Sequence, residues 1–141
     1  MKNLLLVIVL GLSLGIKAQI VSELSFEDKT KSISLSLKNE YDELVALYPP
    51  QGGDDKKGTY FIVNYRDSTD KVLYSFSTYV FEENRGFRVL LPKNKQTYIL
   101  DLTTKRIPKS TYSVEIKVHI EVRNSRKTLF IDDITQTYKW K

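Results

Sequence analysis

Tyr112-Ser113-Val114-Glu115-Ile116-Lys117-Val118-His119-Ile120-Glu121-Val122-Arg123 alternates apolar and polar residues along its whole length. Successive side chains of a β-strand point to opposite faces. The stretch therefore reads as one long strand. Tyr112, Val114, Ile116, Val118, Ile120 and Val122 face a core, and Ser113, Glu115, Lys117, His119, Glu121 and Arg123 face water. A helix would scatter the same six apolar residues around its circumference.

The same period recurs on both sides of this strand. Ile33, Leu35 and Leu37 alternate with Ser34, Ser36 and Lys38. Phe61, Val63 and Tyr65 alternate with Ile62 and Asn64, and Val72, Tyr74, Phe76, Thr78 and Val80 share one face of a further strand. Residues 44–48 form a short apolar run stopped by Pro49-Pro50; 87–91, 96–102, 129–131 and 134–140 supply the remaining strands. Short polar turns punctuate them: Asp67-Ser68-Thr69-Asp70, Glu82-Glu83-Asn84-Arg85-Gly86, Pro92-Lys93-Asn94-Lys95, Asn124-Ser125-Arg126 and Asp132-Asp133. Strands at this spacing, with no sustained helical period, predict an all-β, antiparallel sandwich of about seven to nine strands. Residues 33–141 form that domain, and residues 19–32 read as a lead-in or an edge strand.

The chain starts with a different kind of segment. Lys2 gives a positive start, residues 4–16 carry no charge, and Ala18 places a small residue before Gln19. This is the pattern of a secretory signal peptide over residues 1–18, cleaved before Gln19. The apolar run is shorter than the ~20 residues that span a bilayer as a helix. The expected location is periplasmic or extracellular, in soluble form, with no membrane span after cleavage.

Composition narrows the function classes. The chain has 141 residues, no cysteine, one histidine and a formal charge of +5. Without cysteine there is no disulfide framework, thiolate zinc site or thiol nucleophile. Lys2 and Lys17 leave with the leader, and the remaining basic residues are interspersed with acidic ones. Nucleic-acid binders gather charge on one face, so no nucleic-acid partner is expected.

Two segments carry a resemblance. Residues 33–38, then Asn39-Glu40-Tyr41-Asp42, then 44–49, resemble the opening of small secreted immunoglobulin-like domains of bacteria. Leu90-Leu91-Pro92-Lys93-Asn94-Lys95-Gln96-Thr97-Tyr98-Ile99-Leu100-Asp101-Leu102 resembles their later corner, although the turn holds Asn94 and Lys95 where glycine is usual. The Cys…Trp…Cys signature of antibody domains is absent. The resemblance implies a scaffold or binding module and names no ligand.

The search for chemistry finds no catalytic constellation. His119 lies on the polar face with Lys117 and Glu121 as same-face neighbours, and no Gly-x-Ser-x-Gly elbow occurs. It reads as an exposed strand histidine. The carboxylate pairs Asp42/Glu43, Asp54/Asp55, Glu82/Glu83 and Asp132/Asp133 are adjacent residues that point apart on an extended backbone. Gly52-Gly53-Asp54-Asp55 offers at most weak chelation and lacks calcium-loop spacing. No cofactor or metal is expected. Pro49-Pro50-Gln51-Gly52-Gly53-Asp54-Asp55-Lys56-Lys57-Gly58 has no hydrophobic anchor, and Tyr48 and Tyr60 flank it. Tyr65, Tyr74, Phe76 and Tyr112 belong to the expected core, and the penultimate Trp140 needs packing to avoid fraying. Asp67-Ser68-Thr69 resembles an acceptor for O-linked glycans in some exported bacterial proteins.

The resulting expectation is an exported, non-enzymatic binding module. It would recognise another protein or a surface glycan through strand edges or the 49–58 loop, with Tyr41, Tyr48, Asp54, Asp55 and Tyr60 as binding residues. The alternative is a small β-barrel carrying an apolar ligand, and the third reading is an undetected hydrolase, which His119→Ala would test.

Overall fold

The computed structural model describes residues 19–47, 58–80, 89–124 and 128–141. Among them are nine strands in two sheets, every pair antiparallel. The smaller sheet has the order β1 (Ile20–Glu27), β2 (Ser32–Asn39), β7 (Lys95–Asp101). The larger sheet is organised by β8 (Ser113–Arg123). One edge of β8 pairs with β9 (Thr128–Lys139) from end to end. The other edge pairs first with β4 (Tyr60–Arg66) and then, at Val122 and Arg123, with β3 (Val45–Leu47). β5 (Val72–Tyr79) lies outside β4, and the two-residue β6 (Val89–Leu90) outside β3.

The core fills the space between the sheets, as the period-2 patterns require. Ile33, Leu35, Leu37, Tyr98 and Leu100 of the smaller sheet face Phe61, Val63, Tyr65, Val114, Ile116, Val118, Ile120 and Val122 of the larger. All of these are within 1% of complete burial. Each large aliphatic side chain so buried contributes about 1.5–3 kcal/mol relative to exposure. Two facing sheets over one packed core make the chain a β-sandwich without disulfides.

Asn39 ties the sheets together at one end. Its side-chain amide donates to the carbonyls of Glu43 (2.9 Å) and Leu90 (3.0 Å), and its carbonyl oxygen accepts from the Tyr41 amide (2.9 Å). Leu90 belongs to the larger sheet and Asn39 to the smaller, so one fully buried amide bridges them. The backbone of Asn39 also bonds the turn before β7, through Asn94 and Lys93. Lys93 takes the left-handed conformation there (φ 64°), a region glycine enters without steric cost.

Trp140 closes the other end. Its amide donates to the Tyr112 carbonyl (2.9 Å). Its ring meets Tyr65 edge-on at 5.7 Å and stacks on Phe26 of β1 at 6.0 Å, with the Lys31 ammonium 4.3 Å from its centroid. The terminal tryptophan is thus tied down by packing across both sheets. Beside it, the Tyr65 hydroxyl is buried with no hydrogen-bond partner among the described residues, and burial pushes its pKa up to about 12.

Three local expectations need correction. Tyr112 is 49% exposed rather than core, because β8 begins one residue later and the sheet edge ends beside it. Asp132-Asp133 is no turn: both residues lie within β9, opposite Ile120 and His119, so 129–131 and 134–140 are one strand. The unbroken edge of β8 outweighs their local turn preference. Leu102 leaves β7 and starts a 3-10 turn (Leu102–Thr104) capped by the Asp101 carboxylate. Residues 19–32 contain the edge strand β1, while the turns expected at 82–86 and 125–126 lie outside the described residues.

Replacing Asn39 with Ala would orphan two carbonyls and one amide, a loss of about 3 kcal/mol. Asn39→Asp should be no better, because a carboxylate cannot donate to Leu90 or Glu43. Urea unfolding of both variants checks this; wild-type stability in either would show that the bridge is dispensable.

Candidate functional site

The outer face of the larger sheet is built from the residues that the core rejects. The odd-numbered residues of β8 lie there, beside Tyr60, Ile62, Asn64 and Arg66 of β4. Register sets the rows. Tyr79, Tyr60, His119 and Asp133 stand side by side on β5, β4, β8 and β9. The next row is Ser77, Ile62, Lys117 and Thr135, and the one after it Ser75, Asn64, Glu115 and Thr137.

The first row is held by specific contacts. Tyr60 and Tyr79 meet edge-on with centroids 6.2 Å apart, and Tyr60 lies against the His119 ring at 5.3 Å and 30°. His119 Nδ1 is 2.7 Å from Asp133 Oδ1. A carboxylate only accepts, so Nδ1 carries a proton, and in the neutral tautomer Nε2 is then the acceptor. The His119 side chain is 17% exposed and that of Asp133 74%. A histidine–carboxylate contact this open adds little stability; its effect is to orient the ring. Burial, with Asp133 and Tyr79 nearby, raises the Tyr60 phenol above its ordinary pKa of 10.0. Tyr60, Ile62, Lys117, His119, Asp133 and Thr135 line a surface depression of 220 Å³.

Polar networks brace this face on either side. Glu115 accepts from the Asn64 amide (3.0 Å) and the Arg66 guanidinium (3.3 Å), with Lys117 at 3.8 Å. Glu121 is only 4% exposed and accepts from the Gly58 amide (3.0 Å), Arg123 (3.0 Å) and the Thr128 hydroxyl (3.2 Å). The Thr59 hydroxyl also exchanges hydrogen bonds with the Glu121 backbone, both 3.0 Å. Gly58 and Thr59 are therefore clamped onto β8 immediately before Tyr60.

The expected binding residues separate. Tyr60 stands in the row beside the depression. Tyr41 is half-buried against the core, and its hydroxyl donates to the Leu129 carbonyl (3.0 Å). Tyr48, Asp54 and Asp55, with most of the 49–58 loop, lie outside the described residues. The sequence reading missed His119, Lys117, Tyr79, Asp133 and Thr135 as neighbours of Tyr60. Alternation placed His119 on the outer face, but only the cross-strand register brings Tyr60 and Asp133 to it.

No protein-family model matches this chain, and no curated protein does either.

Chemically, the row can bind and orient. An aromatic surface, an oriented imidazole, a carboxylate and an ammonium lie within one small concavity. The histidine–carboxylate pair has the form of a base with its orienting group, but among the described residues no hydrogen bond joins it to a serine or threonine hydroxyl. Among the described residues no three His, Asp or Glu side chains gather to hold a metal.

The bracing carboxylates make the fold acid-sensitive. Burial raises Glu121, but the Gly58, Arg123 and Thr128 hydrogen bonds together outweigh it and leave its pKa below the ordinary 4.5. The Asn64 amide, helped by Arg66 and Lys117, lowers Glu115 against its own desolvation. A depressed folded-state pKa gives stability that is present above about pH 4.5 and lost as pH falls through the folded value. Melting temperature should hold near neutrality and drop below about pH 4.5. Glu121→Gln should be less stable at neutral pH and lose less on acidification; an unchanged acid profile in that variant would remove Glu121 from the account.

Proposed function

We propose that the chain is an exported, non-enzymatic binding module on an immunoglobulin-like β-sandwich, and that it recognises its partner through the outer face of the larger sheet. The observation that carries this reading is the row Tyr79–Tyr60–His119–Asp133 beside a small depression. The strand order supports the scaffold: β1-β2-β7 and β5-β4-β8-β9 follow the A-B-E and C′-C-F-G orders of immunoglobulin domains. The leader pattern of residues 1–18 supports export. The expected partner is another protein or a surface glycan. The binding surface is the sheet face, where side chains are held by register. An apolar-ligand barrel is less favoured, because the space between the two sheets is packed with buried side chains.

The test is capture of partners from the exported fraction of the protein's own cells, using the full chain beside Tyr60→Ala and His119→Ala variants. A partner held by the wild type and lost by both variants supports the face as the binding surface. A partner held equally by all three contradicts it. N-terminal sequencing of the exported protein should read from Gln19; a chain still beginning at Met1 would contradict cleavage.

A further inference from the structure

Resting on that reading, we infer that the depression between Tyr60, His119 and Asp133 takes one uncharged pyranose ring of a glycan. Size is the first constraint. The depression measures 220 Å³, below the ~300–1,000 Å³ of pockets for drug-sized ligands. It suits a single small ring with the rest of a chain running over the surface.

The walls match the two kinds of surface on a pyranose. A sugar ring presents a face of C–H groups and a rim of hydroxyls. Tyr60 and His119, tilted 30° from each other at 5.3 Å, with Ile62 beside them, supply an apolar wall for the C–H face. The rim requires acceptors and donors. The Asp133 carboxylate and His119 Nε2 accept, the Lys117 ammonium donates, and the Thr135 hydroxyl does either. Lys117, two residues along the strand from His119, and Asp133, across from it on β9, carry opposite charges, so these two rim groups cancel and select neither an anion nor a cation.

The rings are oriented in advance. Tyr79 meets Tyr60 edge-on, and Asp133 holds the His119 ring, so little side-chain freedom remains to be lost on binding. The surrounding face favours a glycan over a protein. On the side of the site away from Ile131, the next rows of Ser75, Ser77, Asn64, Glu115, Thr135 and Thr137 continue the face with hydroxyl, amide and carboxylate groups. The buried centre of a protein interface is depleted in serine, glutamate, aspartate and lysine.

The experiment is an amide chemical-shift titration of the isotopically labelled full chain. The probes are the methyl pyranosides of glucose, galactose, mannose and xylose, cellotetraose and chitotetraose, with galacturonate as the charged comparison. Saturating shifts at Tyr60, Ile62, His119 and Asp133 with at least one neutral sugar are expected, with an affinity reduced at least about tenfold in Tyr60→Leu. That variant keeps apolar bulk on the strand and removes the ring. Asp133→Asn keeps the shape of the rim and should also weaken binding. Shifts that persist unchanged in Tyr60→Leu, tighter binding of galacturonate than of any neutral sugar, or no shifts with any probe would overturn the glycan assignment. If the sugars fail but the partner captured from the exported fraction still requires Tyr60, the binding-face reading stands and the occupant is a protein. If capture is also independent of Tyr60, both fall.

Discussion

The double pairing of β8 is the constraint on which the rest of this molecule depends. β9 takes one edge of it, and β4 and then β3 take the other. A strand held on both sides cannot slip by one residue without turning Val114, Ile116, Val118, Ile120 and Val122 outward and Glu115, Lys117, His119, Glu121 and Arg123 inward. That exchange would bury charge and expose most of the apolar centre. The core and the outer face are therefore two consequences of one register.

The outer face inherits its precision from the same source. Cross-strand neighbours in an antiparallel sheet sit about 4.5–5.5 Å apart, so strand positions alone place Tyr60, His119 and Asp133 in one row. The sheet also fixes what holds them. Glu121, on the outer side of β8 yet buried, clamps Gly58 next to the start of β4. Glu115 ties β8 to Asn64 and Arg66 at the opposite end. β9, the edge on this side among the described residues, places Asp132 on the core-facing side, opposite Ile120. Inward charge is one device by which edge strands avoid adding foreign strands. With that edge guarded, the face is the surface on which the proposed recognition rests.

Much of this was legible from the sequence, and the part that was not has a physical reason. Alternation is a local property, so β8, β2 and β4 could be read residue by residue, including the side on which His119 lies. Pairing is not local. Nothing in the neighbourhood of residue 133 says that it stands opposite residue 119, and the Asp132-Asp133 dipeptide taken alone favours a turn. In the sequence, Tyr60 is marked only by flanking a proline- and glycine-rich loop. The structure gives a different reason for its interest, namely its neighbours across three strands. Asn39 was legible as a polar bend but not as a bridge, because its partner Leu90 lies 51 residues away. Trp140 posed the question of what holds a terminal indole, and Phe26, Lys31 and Tyr65 answer it from both sheets.

A partner that covers the row on the larger sheet, as proposed, must also cover the single histidine. With one imidazole in the chain, the rate at which diethyl pyrocarbonate labels it reports this site alone. Labelling would be followed by mass spectrometry with and without the partner recovered from the exported fraction. His119 should be labelled in the free protein and protected in the complex. A bound complex in which His119 is labelled as fast as in the free protein would contradict it.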